Sequence, residues 1–315
     1  MKQLKIEEVA GWLLERDNFV LLTHRRPDGD TVGSASALCL GLRALGKRAF
    51  VLENPQMTDK YGIFLEGLIK EAVEPGDTVV STDVAAGNMF PMGFEGGVEL
   101  LLDHHGSNSG FAPVGLVRAD AAACGEIIYD LLGALGVTLD PEMARRLYLA
   151  VSTDTGCFRH ANTEAHTLEV AAACYATGAE LFSINKTMFE TVRFPRLKLN
   201  AYMADHVELL RHGTIAICVI PKAVEEDLGI TSDDTEDLAS FLRNIEGVGL
   251  AATIRQGEPG VAKLSLRAAP GYDCSAVCAH LGGGGHKGAA GATTNRSLEE
   301  ARAALLKALT AEGLL

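Results

Sequence analysis

Aspartate and histidine residues recur directly after short apolar runs in the first half of the chain. Residues 101–108 read LLDHHGSN, so one aspartate and two histidines follow a run that is typical of a buried strand. Residues 24–30 read HRRPDGD, residues 81–83 read STD, and residues 152–156 read STDTG. Each of these segments offers carboxylate or imidazole groups, which are common ligands for divalent metal ions.

The candidate ligand set has eight members: His24, Asp28, Asp30, Asp83, Asp103, His104, His105 and Asp154. In one crevice these side chains would repel one another unless cations neutralised them. Histidine combined with carboxylate suits Mn²⁺, with Zn²⁺, Co²⁺ or Mg²⁺ as alternatives. The set is too large for one ion with open positions and favours two ions that share a carboxylate. Two ions about 3.5–4 Å apart can hold a phosphoryl oxygen.

A single aspartate at a strand end has a simpler interpretation. It is more often a helix N-cap or a turn former, and Asp28 and Asp30, beside Pro27 and Gly29, would alone predict an ordinary turn. A histidine pair alone is also more often structural. Metal binding is favoured here because four separate segments place the same residue types at one edge of one predicted sheet.

The elements that must position these side chains alternate between strand and helix. Short apolar runs predict strands at 18–24, 48–53, 77–83 and 98–105. Apolar spacing of three and four residues predicts helices over 31–46, ended by Gly46, and over the segments starting at residues 124 and 141. This alternation predicts an α/β fold with a doubly wound parallel sheet.

The second half of the chain predicts a smaller α/β domain. Strands are expected at 214–220, 249–256 and 261–269, a helix near 233–244, and two helices around the glycine run 282–285. We therefore expect a first domain over 1–190, a linker over 191–212 and a second domain over 213–315. A cleft between two domains is a common ligand site, so we expect the active site there.

The overall composition excludes several functional classes. The chain has 315 residues and a formal net charge of −13, which argues against a large basic surface for long duplex nucleic acid. It remains compatible with a small anionic substrate held by metal ions. The seven cysteines form no CxxC pair and predict reduced thiols in the cytoplasm. Neither a signal peptide nor a membrane-spanning segment is expected.

Four motifs resemble those of the DHH superfamily of phosphoesterases. They are HRRPDGDTVGS, STDVAAGN, LLDHHGSN and AVSTDTGCFRH, and they occur in the order and spacing of that superfamily. The segments KLSLRA and LGGGGHKGAAGA resemble the DHH-associated C-terminal domain. The superfamily includes RecJ exonucleases, family II pyrophosphatases, exopolyphosphatases and nanoRNases, and the compact length resembles the nanoRNase group.

The resemblance implies a role for each candidate residue. His24 and Asp28 would hold one metal ion, Asp30, His104 and Asp154 would hold a second, and Asp83 would bridge both. Asp103 would orient a histidine ligand through its free ring nitrogen. His105 would face the substrate phosphate or the leaving oxygen, so that His105 and Asp83 act in catalysis.

The resemblance also implies a phosphate-binding site in the second domain. Arg267, His286 and the glycines Gly283, Gly284 and Gly285 would contact a terminal phosphate of a short nucleotide. Successive glycines let backbone N–H groups converge on an anion, although a glycine run alone is more often a hinge. Relatives often carry a histidine or asparagine after this histidine, whereas Lys287 and Gly288 follow here.

Together these features predict a metal-dependent hydrolase of dinucleotides and short RNA, which would also convert pAp to AMP and phosphate. A family II pyrophosphatase is an alternative, but it needs a C-terminal arginine and lysine cluster that this chain lacks. A RecJ-like exonuclease is disfavoured by the short, acidic chain, and a nucleotide sensor by the full ligand set. The resemblance is compatible with a homodimer.

Overall fold

The computed structural model describes residues 1–315, which form two compact units. The first unit covers Met1–Thr191 and the second covers Val192–Leu315. Each unit contains a sheet that packs against its own helices and buries its own apolar side chains. The predicted fold class, a parallel doubly wound sheet followed by a smaller α/β unit, is confirmed.

The first unit is built on a sheet of seven parallel strands. They are β1 (Lys2–Gln3), β2 (Phe19–Leu22), β3 (Ala49–Leu52), β4 (Ile69–Lys70), β5 (Thr78–Thr82), β6 (Leu100–Asp103) and β7 (Val114–Val117). The strand order is β1-β7-β6-β5-β2-β3-β4, and every neighbouring pair is parallel. From β2 the chain continues to β3 and β4 on one side of the sheet, and from β5 it continues to β6 and β7 on the other side. The switch point, where ligands bind in such sheets, therefore lies between β2 and β5.

The four predicted strands correspond to β2, β3, β5 and β6. The sequence patterns missed β1, β4 and β7. Two of these strands have only two residues, which is too short for a periodic signal, and β7 contains a glycine among its four residues. None of the missed strands carries a candidate site residue.

Seven helices flank this sheet. They are α1 (Ile6–Leu14), α2 (Gly29–Ala44), α3 (Asp59–Gly62), α4 (Cys124–Ala134), α5 (Pro141–Asp154), α6 (Ala165–Ala176) and α7 (Phe182–Asn185). Short 3₁₀ turns lie at Ile63–Leu65 and Gly87–Met89, and a π-helical turn lies at Lys186–Glu190. The predicted helix over 31–46 is α2, which begins two residues earlier because Asp28 caps it.

Close packing between α2 and α5 depends on small side chains. Most of α2 is buried, although its sequence is rich in glycine, alanine and serine. A Cβ atom at Gly33 would overlap the carbonyl oxygen of Arg146 and would lie 2.9 Å from the Cβ of Ala150. The backbone of α2 at Gly33 therefore lies directly against α5 at Arg146 and Ala150. This contact holds the start of α2 and the end of α5 on the same side of the unit.

The second unit has a mixed sheet of six strands. They are β8 (Glu208–Leu210), β9 (Ile215–Ile220), β10 (Leu250–Gln256), β11 (Ala262–Ala268), β12 (Gly284–Gly285) and β13 (Ala289–Thr294). The order is β12-β13-β11-β10-β9-β8, and only the β9–β10 pair is parallel. Its helices are α8 (Phe194–His206), α9 (Lys222–Leu228), α10 (Leu238–Arg243), α11 (Cys274–Ala279) and α12 (Leu298–Ala311), with a 3₁₀ turn at Asp233–Thr235. None of the twelve helices has the length and apolarity that crossing a bilayer requires.

The glycine run 282–285 differs from its predicted surroundings. A helix, α11, does precede it, but the run enters a hairpin of β12 and β13, and α12 begins only at Leu298. A Cβ atom at Gly283 would overlap the carbonyl oxygen of Gly291 and lie 2.6 Å from the Cβ of Ala292. β12 consists of two glycines, and β13 has only glycine and alanine before its two final threonines, because the backbones come so close. This composition hides the strand signal that β-branched residues normally give.

We predict that Gly33→Ala destabilises the protein by about 1–3 kcal/mol, because the added methyl group forces α2 away from α5. Gly11→Ala is the matched control, since Gly11 lies inside α1 and a Cβ there meets no atom within 4 Å. The control should be stabilised by about 0.5–1 kcal/mol, the usual helix-propensity gain. Urea unfolding of both variants measures the difference. Equal effects of the two substitutions would contradict the packing argument.

Candidate metal centre

The candidate ligands meet at the switch point of the first sheet. His24 follows β2, Asp83 follows β5, and His104 follows β6, and these three strands are neighbours in the order β6-β5-β2. Asp28 and Asp30 lie at the start of α2, and Asp154 is the last residue of α5. Because parallel strands end at one edge, five elements deliver six side chains to a single place.

The first group of ligand atoms comes from His24, Asp28 and Asp83. The Nε2 atom of His24 lies 3.3 Å from Oδ2 of Asp28 and 3.7 Å from Oδ2 of Asp83. Asp28 uses its other oxygen, Oδ1, to cap α2 by accepting from the backbone N–H groups of Asp30 and Thr31, at 3.1 and 3.2 Å. The cap fixes the carboxylate so that Oδ2 faces the histidine. The three candidate donor atoms lie within 4.8 Å of one another.

The second group comes from Asp30, His104 and Asp154. The Nε2 atom of His104 lies 3.4 Å from Oδ2 of Asp154 and 3.7 Å from Oδ2 of Asp30. Asp30 is fully buried, and its carboxylate accepts the backbone N–H groups of Cys124 and Gly125 at 2.6 and 2.9 Å. These amides belong to the first turn of α4, where the helix dipole favours a negative charge.

Asp83 joins the two groups. Its Oδ2 atom faces His24, whereas its Oδ1 atom lies 3.4 Å from Nε2 of His104. The Oδ1 atom is buried and accepts no hydrogen bond. The residue also adopts a left-handed conformation, with φ of +58°, which aspartate tolerates better than most residues. An unsatisfied buried oxygen that faces both groups is suited to bridge two cations.

The electrostatics of the cluster favour bound positive charge. Burial raises the pKa of Asp83 well above its usual range, and the charge of Asp30 raises it further. Burial and Asp30 raise the pKa of Asp154 in the same way. Burial lowers the pKa of His104, but the neighbouring carboxylates of Asp83 and Asp30 outweigh it and raise the pKa to about 11. The carboxylates therefore attract protons in the absence of metal, and divalent ions would satisfy the same demand.

Asp103 orients His105 in this structure. Its Oδ1 atom accepts from Nδ1 of His105 at 2.8 Å and from the backbone N–H of His104 at 2.9 Å. The ring of His104 is held instead by the carbonyl oxygen of Ala121, 3.1 Å from Nδ1. The ring partner of Asp103 is therefore His105, the histidine predicted to face the substrate, and the orienting role of Asp103 toward a ligand histidine stays a prediction. The Nδ1 atom of His105 also lies 3.4 Å from Oδ1 of Asp83.

The predicted phosphate-binding residues all lie in the second unit. Arg267, on β11, is about one-third exposed, and its Nε atom lies 2.9 Å from Oδ1 of Asp237. The N–H of Gly283 donates to the carbonyl oxygen of Cys278, and that of His286 donates to Ala289. The amide of Gly283 is thus engaged with α11, and that of His286 within the turn between β12 and β13. The substrate role of these residues stays a prediction.

Sequence reasoning missed the residues that hold the ligands in place. The amide of Asn54 donates to the carbonyl oxygen of His24 at 2.9 Å, and Asn108 donates to Asp103 at 2.5 Å. Asn54 has no motif around it and could not be found from sequence. Asn108 ends the segment LLDHHGSN, and its fixed distance from the two histidines was a usable signal.

A switch-point site with two overlapping groups of histidine and aspartate defines a candidate two-metal centre on a doubly wound domain. The chain matches the DHH family, N-terminal domain, over residues 18–151 and the DHHA1 domain over residues 213–312. It is 33% identical to a Thermus thermophilus protein over 93% of this chain and 89% of the relative. The chain belongs to the DHH family of phosphoesterases, with a DHHA1 domain at its C-terminal end.

The relatives carry informative names. The Thermus thermophilus protein is named bifunctional oligoribonuclease and PAP phosphatase NrnA. A Mycoplasma genitalium protein of the same name is 24% identical and covers 93% of each chain. An exopolyphosphatase-related protein from Bacteroides fragilis superposes with a TM-score of 0.85 at 22% identity, over 97% of this chain and 95% of that one. This last comparison shows that the fold is shared.

We predict that Asp83→Asn abolishes stabilisation by Mn²⁺ without destabilising the metal-free protein. Asparagine keeps the shape and tolerates the left-handed backbone, but it removes a charge that burial and Asp30 disfavour. Metal binding stabilises a fold by mass action, so the melting temperature of the wild type should rise with Mn²⁺ concentration. Thermal melts with and without Mn²⁺ measure both effects.

Asp227→Ala is the control for this prediction, because Asp227 is exposed on α9 and distant in sequence from the cluster. It should retain the full metal-dependent shift. An Asp83→Asn protein that Mn²⁺ still stabilises as strongly as the wild type would refute the bridging role.

Proposed function

We propose that this protein is a metal-dependent phosphoesterase that cleaves dinucleotides and short RNA from an end and removes a phosphate from pAp. The observation that carries the proposal is the position of Asp83 at the switch point, where its Oδ2 atom faces His24 of the first group and its Oδ1 atom faces His104 of the second. Phosphoryl transfer benefits from two cations placed side by side. The names of the relatives, which cover most of their length, support the choice of substrate.

Two divalent ions, with Mn²⁺ as the preferred species, are proposed as cofactors because the donor set mixes imidazole and carboxylate. His24 and Asp28 would hold one ion, Asp30, His104 and Asp154 the other, and Asp83 both. When bound, the ions would supply Lewis-acid polarisation of the phosphoryl oxygens and lower the pKa of a coordinated water. The protein's part is to fix these ligands, which the cap of α2 and the start of α4 accomplish.

His105 is proposed to act directly on the substrate. The buried carboxylate of Asp103 accepts its Nδ1–H, which fixes the orientation of the ring. A ring held in this way can donate a proton from Nε2 to the leaving oxygen or to a phosphoryl oxygen. This role parallels the carboxylate–histidine pairs of other hydrolytic sites, in which the carboxylate orients and the imidazole transfers the proton.

The second unit is proposed to bind the terminal phosphate of the substrate through Arg267, His286 and the segment Gly283–Gly284–Gly285. Arg267 already pairs with the half-exposed carboxylate of Asp237, so a phosphate would replace one anion by another at the same guanidinium. This exchange keeps the arginine fork ordered before substrate arrives. It also limits the net gain in affinity, since one ion pair is lost when the other forms.

Other functions fit the chain less well. A pyrophosphatase would need more basic residues around the second site, and a processive exonuclease would need a basic, aromatic groove that a chain with a net charge of −13 does not favour. The seven cysteines are all free thiols, and six are buried, which supports a reducing, cytoplasmic location. No partner beyond a short nucleotide is proposed, apart from a second copy in a homodimer. Long duplex nucleic acid and membranes are not expected partners.

The proposal is tested by a turnover panel with Mn²⁺. Wild-type protein is given pAp, a 5′-phosphorylated dinucleotide, pyrophosphate and a long single-stranded RNA, and product formation is measured for each. We expect turnover of pAp and the dinucleotide, and loss of both activities in Asp83→Asn. Faster hydrolysis of pyrophosphate than of either nucleotide would favour the pyrophosphatase, and binding without turnover would favour the sensor.

We predict that kcat/KM falls with RNA length beyond roughly five nucleotides. A clamp on one strand end gives no further contacts to added nucleotides, and the acidic surface repels them. A series of 5′-phosphorylated RNAs from about two to about twenty nucleotides at fixed salt measures the effect. A flat or rising series would indicate a processive exonuclease.

We also predict that Arg267→Ala and His286→Ala lower kcat/KM by roughly 10–100-fold, mainly through KM. The loss corresponds to one hydrogen bond to a charged group, about 1.5–3 kcal/mol. Mn²⁺ binding should be unchanged, because neither residue belongs to the ligand groups. Lys222→Ala, an exposed basic residue of α9, is the control and should retain its kinetics. Loss of metal in both variants, or no kinetic change, would contradict the clamp.

A further inference from the structure

Asn108 ends the segment LLDHHGSN, and the function proposed above gives it no role. Its side-chain amide is fully engaged in the structure. Nδ2 donates to Oδ2 of Asp103 at 2.5 Å and to the carbonyl oxygen of Val84 at 2.9 Å, and Oδ1 accepts the N–H of Gly110 at 2.7 Å. Both donor contacts and the acceptor contact fit a single orientation of the amide, so its assignment is unambiguous.

Asn108 determines how the carboxylate of Asp103 is held. Asp103 is fully buried, and its Oδ1 atom serves His105 and the backbone of His104. The Oδ2 atom accepts a hydrogen bond from the side-chain amide of Asn108. Without this bond the carboxylate loses its side-chain donor on Oδ2 and is held less firmly against rotation about its Cβ–Cγ bond. The ring of His105 would then lose the fixed acceptor that sets its direction.

Asn108 also ties two strand ends together. Val84, whose carbonyl oxygen it binds, directly follows Asp83, the residue shared by the two ligand groups. The N–H of Ser109 donates to the carbonyl oxygen of Ala85 at 2.9 Å, which adds a second link between the loops after β5 and β6. The amide of Asn108 therefore sets the position of the His105 pair relative to the backbone that carries Asp83.

We propose that Asn108 is a positioning residue that acts through Asp103 to aim His105 at the substrate. The inference rests on the proposed phosphoesterase function. In it, Asn108 holds Asp103 by one hydrogen bond, and Asp103 holds His105 by the next. Asn108 does not touch the substrate and holds no metal ion. Its loss should thus lower kcat, leave KM nearly unchanged and leave the two metal ions in place.

A double-mutant cycle tests whether Asn108 acts through His105. Asn108→Ala should lower kcat for pAp with Mn²⁺ by about 10–100-fold in the wild type, a fraction of what a proton-transfer group contributes. In a His105→Ala background the same substitution should change kcat less than about threefold, because residues that act as a unit are not additive. Equal losses in both backgrounds would overturn the proposal.

Asn54→Ala is the matched control for the cycle. Asn54 is another asparagine that clamps a strand end, but it is buried and donates to the carbonyl oxygen of His24 and to Thr23. The fold-reduction in kcat caused by Asn54→Ala should therefore be the same in the wild type and in the His105→Ala background. Asn108→Ser provides a second variant, since serine keeps a polar group in the loop but is too short to reach Oδ2 of Asp103, and it should behave as Asn108→Ala does.

Two further measurements do not depend on turnover. Mn²⁺ binding to Asn108→Ala, followed by equilibrium dialysis, should match the wild type, and loss of an ion would overturn the proposal. In the metal-free protein the Nδ1 proton of His105 should exchange with water more slowly in the wild type than in Asn108→Ala, as seen in ¹⁵N-resolved NMR spectra. Equal exchange rates would overturn the proposal. If the wild type turns over none of the substrates, the proposed function fails, while this exchange measurement still decides the hydrogen-bonded chain.

Discussion

Repulsion among carboxylates that are buried side by side is the constraint on which this structure depends. Asp30, Asp83 and Asp154 all face Nε2 of a single histidine, His104, within 3.7 Å. Water screens the charges of the buried Asp30 and Asp83 poorly, although Asp154 is about 30% exposed, so the protein must supply positive potential from elsewhere. It does so with imidazole rings and with the amide groups at the start of α4, and a shortage of positive charge remains at Asp83.

The architecture of the first unit follows from this constraint. A parallel sheet brings several strand ends to one edge, and each strand end can carry one charged side chain without burying a loop. The helices complete the arrangement, because α2 begins and α5 ends beside the same edge. Their close contact at Gly33 lies about one turn from Asp30 and helps to keep the two helix ends together. The acidic side chains thus depend on small, apolar neighbours.

Much of this arrangement was readable from the sequence. Each central strand of the first sheet is a short apolar run, and each ends in a polar residue that a buried strand would not otherwise contain, so strand position and candidate ligands came from one pattern. The pattern failed where side chains are small or strands are short, as at β1, β4 and the glycine-rich hairpin of the second unit. The partner of Asp103 could not be predicted either. It depends on which of two adjacent rings turns toward the carboxylate, and spacing along the chain does not contain that information.

The two aspartates at the start of α2 give the site a mechanical property. Asp28 and Asp30 are separated by one residue, yet they face different groups of ligand atoms. The two positions are about half a helical turn apart, and the cap hydrogen bonds from the N–H groups of Asp30 and Thr31 to Asp28 fix their separation. A displacement of α2 moves both positions together and preserves the spacing between them.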